Sequence, residues 1–255
     1  ELARKYDDKD IEAYALGTKG MVHARLGEFA QARENMQRAR EVVRSIHSPV
    51  TEADVDLFAA WSYLDMGDPQ RGLEYSQRGV EKAIATSSME CICHGFVCLG
   101  FGNLQAQKLP EAVVAFEESI RRSEISGAAQ TENLGRAGLA IAQFYSGRAE
   151  AVQDMEDVLA NAQAIDDQLG AAIVAQTLGE SLTQMGKLER AESYLNRAFD
   201  YYRRTEMRPY LARALQSLAH LYERQGRSQD AENARAEAET LMKELHSLGW
   251  KELAE

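Results

Sequence analysis

The chain has 255 residues, of which 45% are hydrophobic and 27% charged, a composition typical of folded globular proteins and unlike that of disordered or fibrous chains. Its formal net charge of -11 argues against direct binding to nucleic acid, because phosphate backbones are normally met by a basic face. No apolar run approaches the roughly 20 residues that cross a bilayer, so we expect no membrane partner.

The three cysteines lie together between Cys91 and Cys98, an odd number in one short segment that cannot form a disulfide framework. A reducing, cytoplasmic setting fits this usage best. The first residue is not Met, which indicates a piece of a longer protein.

A repeat with intervals of 39 or 40 residues runs along the chain. Its turns, mostly marked by glycine, fall at Gly27, Gly67, Gln107, Gly147, Gly186 and Gly226. Seven residues before the turns are Gly20, Ala60, Gly100, Ala140, Gly179 and Ala219, and five residues after them are Ala32, Gly72, Ala112, Val152, Ala191 and Ala231. Small residues let two antiparallel helices cross closely, so the spacing predicts six helical hairpins.

In chain order, the predicted first helices cover residues 10–26, 50–66, 88–106, 128–146, 167–185 and 207–225, and the second helices cover 29–46, 69–86, 109–126, 149–165, 188–204 and 228–247. The six units are 10–48, 49–87, 88–127, 128–166, 167–206 and 207–247. Residues 248–255 should form a cap in which Trp250 covers the last hairpin. With no linker between units, we expect one continuous domain over residues 1–255.

These residues resemble the tetratricopeptide repeat, which combines a Leu-Gly pair, a turn glycine, and alanine at helical spacing. The clearest matches are Leu99-Gly100 with Ala112, and Leu178-Gly179 with Ala191. The resemblance implies an all-α, right-handed superhelical α-solenoid of six hairpins. The period exceeds the usual 34 residues, and such lengthened repeats resemble the tails of bacterial signal-transducing ATPases, cyclase-linked regulators and maltose-regulator-like activators.

In tetratricopeptide folds the first helices line a concave groove, so the resemblance implies a binding surface there. The surface that it transfers to this chain includes Tyr14, Met21, Leu57, Trp61, His94, Phe101, Ile141, Tyr145, Arg213 and His220. It should be apolar and aromatic over the first four hairpins, apart from Arg25, Asp54 and Asp65, and polar over the last two. Trp61 and Phe101 either anchor a partner or pack against the neighbouring hairpin.

Two smaller clusters have alternative interpretations. Cys91, His94 and Cys98 share one helical face, but a fourth metal ligand is missing, so buried cysteines and no metal are favoured. A local basic cluster could bind a carboxylate or phosphate of a partner, or could be a solvated helix end; it comprises Arg203, Arg204, Arg208 and Arg213.

No enzyme motif is present: Gly100-Phe101-Gly102 lies inside a predicted helix, and the five histidines form no HExxH pair. We therefore expect no catalysis and no cofactor. The sequence predicts a protein-interaction or regulatory scaffold that binds a segment of a protein partner, including another domain of its parent chain. The alternative is a ligand- or peptide-sensing regulatory domain of a multidomain ATPase, cyclase or transcription regulator. Homo-oligomerisation is left open.

Overall fold

The structure, a computed structural model, describes residues 8–247. The helices in that range are α1 (Lys9–Leu26), α2 (Phe29–Ile46), α3 (Pro49–Asp65), α4 (Pro69–Ala85), α5 (Met89–Gln105), α6 (Leu109–Ser126), α7 (Ala129–Tyr145), α8 (Ala151–Ala164), α9 (Gln168–Gln184), α10 (Leu188–Arg204), α11 (Arg208–Arg224) and α12 (Ser228–Ser247). The all-α prediction is confirmed, and each predicted helix end lies within two residues of the observed one. None of these helices combines the length and apolar composition needed to cross a bilayer.

Residues with positive φ separate successive helices. One residue with positive φ lies in the turn inside each hairpin. The angle φ is 82° at Gly27 and 75° at Gly226, and it is 61° at Gln107, the one such turn residue that is not glycine. Glycine suits such positions because it has no Cβ to clash with the backbone. A second set of positive-φ residues, which the sequence analysis did not predict, follows the second helices: His47, Ser87, Gly127, Asp166 and Glu206.

The small residues lie where the two helices of a hairpin cross. A Cβ atom added to Gly20 would lie 2.9 Å from Met36 Cγ, and one added to Gly179 would lie 2.5 Å from Leu195 Cγ. In the fourth hairpin the small residue is Ala151, which is fully buried, rather than Val152 beside it. The fourth hairpin is therefore shortened at the start of α8, and this accounts for the 39-residue interval between Gly147 and Gly186.

Within the described residues, the chain divides into two compact units, one ending at Gly138 and the other running from Leu139 to Ser247. In unit 1, the first helices α1, α3 and α5 contact one another in order, and each packs against its own second helix. In unit 2, α9 contacts α8, α10 and α11. A single continuous solenoid over residues 1–255 stays a prediction, and the predicted Trp250 cap lies outside the described residues.

Candidate functional site: the first-helix surfaces

Aromatic side chains from three first helices lie side by side in unit 1. The rings of Tyr14 on α1 and Phe58 on α3 meet edge to face, with centroids 5.0 Å apart. Trp61 on α3 and Phe101 on α5 have centroids 5.6 Å apart, with their ring planes tilted by 49°. Tyr14 is 46% exposed and the other three are half-buried. These four residues form a surface that we call the aromatic row.

Trp61 and Phe101 also belong to the packing between hairpins. Both lie against the buried cluster that contains Leu57, Leu64 and Ile92. Phe101 further packs edge to face on the fully buried Phe116, with centroids 5.1 Å apart. The sequence alone is compatible with either partner binding or packing on the next hairpin for these aromatic residues. The structure places them in that packing with part of each ring accessible.

Leu57 and Ile141 were expected on the accessible surface, and this expectation is wrong. Leu57 is only 4% exposed and Ile141 only 3% exposed. The Leu57 side chain fills space left by two glycines: its Cδ2 lies 2.6 Å from the Cβ position of Gly79 and 3.5 Å from that of Gly95. In this conformation neither Leu57 nor Ile141 can contact a partner.

The predicted charged exceptions in unit 1 are mostly engaged within the protein. Arg25 Nε donates a hydrogen bond to Asp65 Oδ2 at 2.8 Å, and the Asp65 side chain is only 5% exposed. The guanidinium of Arg25 also lies 6.0 Å from the Trp61 ring centroid. This pair joins the first two hairpins and places a cation beside the aromatic row. Met21, one turn before Arg25 on α1, is half-buried.

A titratable cluster lies at the other end of the aromatic row. Cys91 Sγ donates to Asp54 Oδ1 at 3.0 Å. Burial raises the pKa of Asp54, and the negative charge of Glu90 raises it further. The hydrogen bond from Cys91 and the charge of His94 lower the pKa of Asp54, but each by less than burial raises it. The His94 side chain reaches solvent, yet the surrounding protein desolvates it and lowers its pKa. The cluster therefore favours the uncharged forms of both groups.

The cysteines are buried, as the sequence indicated. Burial raises the pKa of Cys91 to about 12 and raises that of the fully buried Cys98 as well. Both thiols are protonated at neutral pH, and a protonated thiol is a poor nucleophile and metal ligand. Among residues 8–247, no group of three or more His, Cys, Asp or Glu side chains is arranged to hold a metal ion.

The first-helix surface of unit 2 is more polar. Glu180 on α9 accepts hydrogen bonds from Gln176 Nε2 at 3.0 Å and from Ser217 Oγ at 2.6 Å. Tyr145, which is 42% exposed, has its pKa raised to about 12 by burial and by the charge of Glu180. This places Tyr145, Glu180 and Ser217 in one polar neighbourhood on three successive first helices.

The two remaining candidates lie on α11. The guanidinium of Arg213 stacks on the ring of Tyr210, with 4.5 Å between Cζ and the ring centroid. His220 is exposed, and its Nδ1 lies 4.0 Å from Glu223 Oε2. Of the basic cluster, Arg203 pairs with Glu237 and Arg208 pairs with Glu244. These two arginines therefore join α10 and α11 to α12.

Comparison with known proteins agrees with this architecture. The tetratricopeptide repeat family model matches residues 172–244, and no curated protein sequence matches the chain. The match identifies residues 172–244 as tetratricopeptide repeats, and the helical hairpins of the described residues have the architecture of such repeats.

Three similar solved structures share the fold. A Rap protein complexed with Competence and Sporulation Factor has a TM-score of 0.71 at 11% identity, over 93% of this chain and 76% of that one. The Rap conjugation gene regulator of plasmid pLS20, in complex with the Phr* peptide, has a TM-score of 0.69 at 12% identity, over 97% and 78%. A signal transduction ATPase with numerous domains and a tetratricopeptide repeat sensor, from Pyrococcus horikoshii, has a TM-score of 0.55 at 13% identity, over 97% of this chain and 39% of that protein.

Proposed function

We propose that this chain is a non-catalytic protein-interaction or regulatory scaffold that holds a segment of a partner protein against the aromatic row of unit 1. The observation that carries the proposal is the row itself: Tyr14, Phe58, Trp61 and Phe101 are neighbours, and each ring leaves an accessible edge or face. Aromatic side chains supply large contact area at low entropic cost and are enriched among binding hot spots.

The fold relatives support a peptide-like partner. Two of them are Rap proteins whose structures contain a bound factor or peptide. At 11% and 12% identity they share the fold alone with this chain, so they support the kind of partner and not its identity. The partner in our proposal is a protein segment, including one from another domain of the parent chain.

A ligand- or peptide-sensing regulatory domain is the second candidate. The similarity to the tetratricopeptide repeat sensor of the Pyrococcus horikoshii protein favours it. The present chain corresponds to 39% of that protein, a proportion expected of one domain in a larger regulator. A sensor passes its occupancy to an attached domain, whereas a scaffold only holds the partner. Binding measured with and without the neighbouring domain of the parent chain distinguishes the two.

The absence of catalysis and a cytoplasmic location are parts of the same proposal. The buried, protonated cysteines support both, because they are not poised as nucleophiles and persist as free thiols in a reducing compartment. The negative net charge supports a protein partner over nucleic acid.

Selection of random peptides displayed on phage, followed by titration of the selected peptides, tests the interaction. Tyr14→Ala should weaken binding by about tenfold or more, because truncating a desolvated aromatic anchor costs about 2 kcal/mol. Val114→Ala is the matched control, since Val114 is 66% exposed on the second helix α6. Equal affinities for the wild type and Tyr14→Ala, with both proteins folded, would contradict the proposed surface.

A further inference from the structure

A cleft of about 670 Å³ lies in unit 2, away from the first-helix surface. It runs between the second helices α8 and α10, above the first turns of α9. Its floor is made of alanines, namely Ala162, Ala171 and Ala172, each of which is at most 4% exposed. Their short side chains leave space that larger residues would fill. The volume falls in the range of about 300–1,000 Å³ that is typical of ligand pockets.

Each wall of this cleft carries charge. On α10, Arg197 and Arg204 lie seven residues apart and therefore on one helical face, with Asp200 between them. Across the cleft, the turn between α8 and α9 contributes Asp166 and Asp167. The guanidinium groups thus lie on one wall, and the opposite wall is acidic.

The carboxylates of the turn bond to neutral groups. Asp167 caps α9, because its Oδ1 accepts from the backbone N–H of Gly170 at 2.9 Å. Asp166 Oδ1 accepts from Gln168 Nε2 at 3.2 Å. Neither bond brings a positive charge, so the negative charge of this wall is not compensated by these contacts.

The arginines of the cleft also differ from others on the second helices. Arg190 on α10 joins the same pair of helices by an ion pair with Glu156, and Arg203 on α10 pairs with Glu237. In the described part of the chain, no ion pair engages Arg197 or Arg204.

What the two cleft arginines contact instead is uncharged. When the side-chain amide of Gln163 is oriented with its oxygen toward Arg197, that oxygen accepts hydrogen bonds from Arg197 Nη1 at 2.8 Å and Nη2 at 2.5 Å. Arg204 Cζ lies 5.8 Å from the ring centroid of Tyr201. Two guanidinium groups therefore keep hydrogen-bonding capacity for an anion, since a guanidinium offers five N–H donors.

We propose that the cleft is a second binding site, specific for a zwitterionic ligand of the size of a short peptide with free ends. A carboxylate of the ligand would be bound by Arg197 and Arg204, displacing the Gln163 amide, and its ammonium group would lie toward Asp166 and Asp167 on the opposite wall. Guanidinium and carboxylate groups form short, charge-assisted, often bidentate hydrogen bonds. The proposal does not depend on the aromatic row, so each can fail without the other.

Nuclear magnetic resonance titration of the whole chain with triglycine tests the site. Saturable shifts should appear at amides lining the cleft, and N-acetyl-triglycine amide, which lacks both charges, should produce none. Arg197→Gln and Arg204→Gln should each weaken binding at least tenfold, and Asp166→Asn should weaken it less. The control is Arg203→Gln, a neighbouring arginine that pairs with Glu237 outside the cleft.

A melting curve for each variant separates loss of binding from loss of folding. The proposal is overturned if triglycine gives no saturable shifts, if the blocked peptide binds equally well, or if folded Arg197→Gln and Arg204→Gln proteins both keep the wild-type affinity. Unchanged triglycine binding by Tyr14→Ala is expected, because Tyr14 belongs to the aromatic row and not to the cleft.

Discussion

Phe116 Cε1 lies 2.3 Å from the position that a Cβ atom of Gly100 would occupy. The same ring lies 2.2 Å from the Cβ position of Gly138, so two glycines border one fully buried aromatic side chain. The third hairpin is therefore held together by a large residue on the second helix packed into space that only glycine leaves free on the first. Because Phe101 packs on Phe116, this arrangement also positions Phe101 in the aromatic row.

Gly100→Ala should destabilise the protein by about 1–3 kcal/mol, because the added methyl group overlaps the Phe116 ring and forces it to move. Urea denaturation measures the change. Adding Phe116→Leu should recover part of the loss, since the smaller side chain makes room for the methyl group. Glu117→Ala, an exposed position on α6, serves as the control and should change stability by less than about 0.5 kcal/mol. Gly100→Ala with wild-type stability would contradict the close crossing.

Gln107→Gly should stabilise the protein by about 1 kcal/mol. Gln107 holds φ at 61°, a left-handed conformation that costs a residue with a Cβ atom about 1–2 kcal/mol. Glycine at the other turns avoids that cost. The control is Glu117→Gly within α6, where glycine should instead destabilise by about 0.5–1 kcal/mol. A loss of stability in Gln107→Gly would show that the Gln107 side chain matters more than its backbone.

Asp54→Asn should raise the melting temperature at pH 7. Burial raises the pKa of Asp54 in the folded state. The Asp54 carboxyl group therefore contributes fully to stability below its usual pKa of 3.8, where it is protonated. This contribution is lost as the pH rises through the pKa of Asp54 in the folded protein. Asparagine does not titrate and still accepts from Cys91.

The advantage of Asp54→Asn should therefore shrink as the pH falls below 3.8. Glu90, His94 and Cys91 also face this carboxyl group, so the comparison is made at each pH against the wild type. The exposed Glu81→Gln variant controls for net charge. A lower melting temperature for Asp54→Asn at pH 7 would contradict the burial argument.

Asp65→Asn, on the same helix, should have the opposite effect. It removes a charge-assisted hydrogen bond to Arg25 from a side chain that is 5% exposed, so we expect a loss of about 1–3 kcal/mol in the free energy of unfolding. Glu34→Gln breaks an exposed pair with Arg38 and should cost at most about 1 kcal/mol. Equal effects of the two variants would mean that the pair with Arg25 does not join the first two hairpins.

The helices could be predicted from the sequence because their ends and crossings are local features. Glycine marks most turns inside the hairpins, and a small residue occurs at a fixed distance from each turn. The turns between hairpins were harder to locate, since His47, Ser87, Asp166 and Glu206 adopt positive φ without being glycine. These residues are exposed, and their backbone N–H groups donate to carbonyls of the preceding helix, as Ser87 does to Ile84. Backbone hydrogen bonds rather than the residue type therefore set the conformation, and sequence alone does not carry this information.

The accessible surface could be predicted only in part. Tyr14 and His94 are accessible as expected, whereas Leu57 packs inward because Gly79 and Gly95 leave space for it from two other helices. A pattern carried over from other tetratricopeptide repeats specifies the helical face but not what lies opposite each side chain. The cleft in unit 2 was missed for the same reason: its alanine floor and charged walls come from three separate helices.

Site-specific photo-crosslinking tests the central claim, that a partner segment binds on the aromatic row, most directly. Benzoylphenylalanine is placed at Tyr14 in one protein and at Val114 in another, and each is irradiated with a peptide obtained by the selection described above. The account predicts an efficient crosslink from position 14, suppressed by excess unlabelled peptide, and little or none from position 114. A crosslink from position 114 alone, or equal crosslinking from both positions, would contradict it.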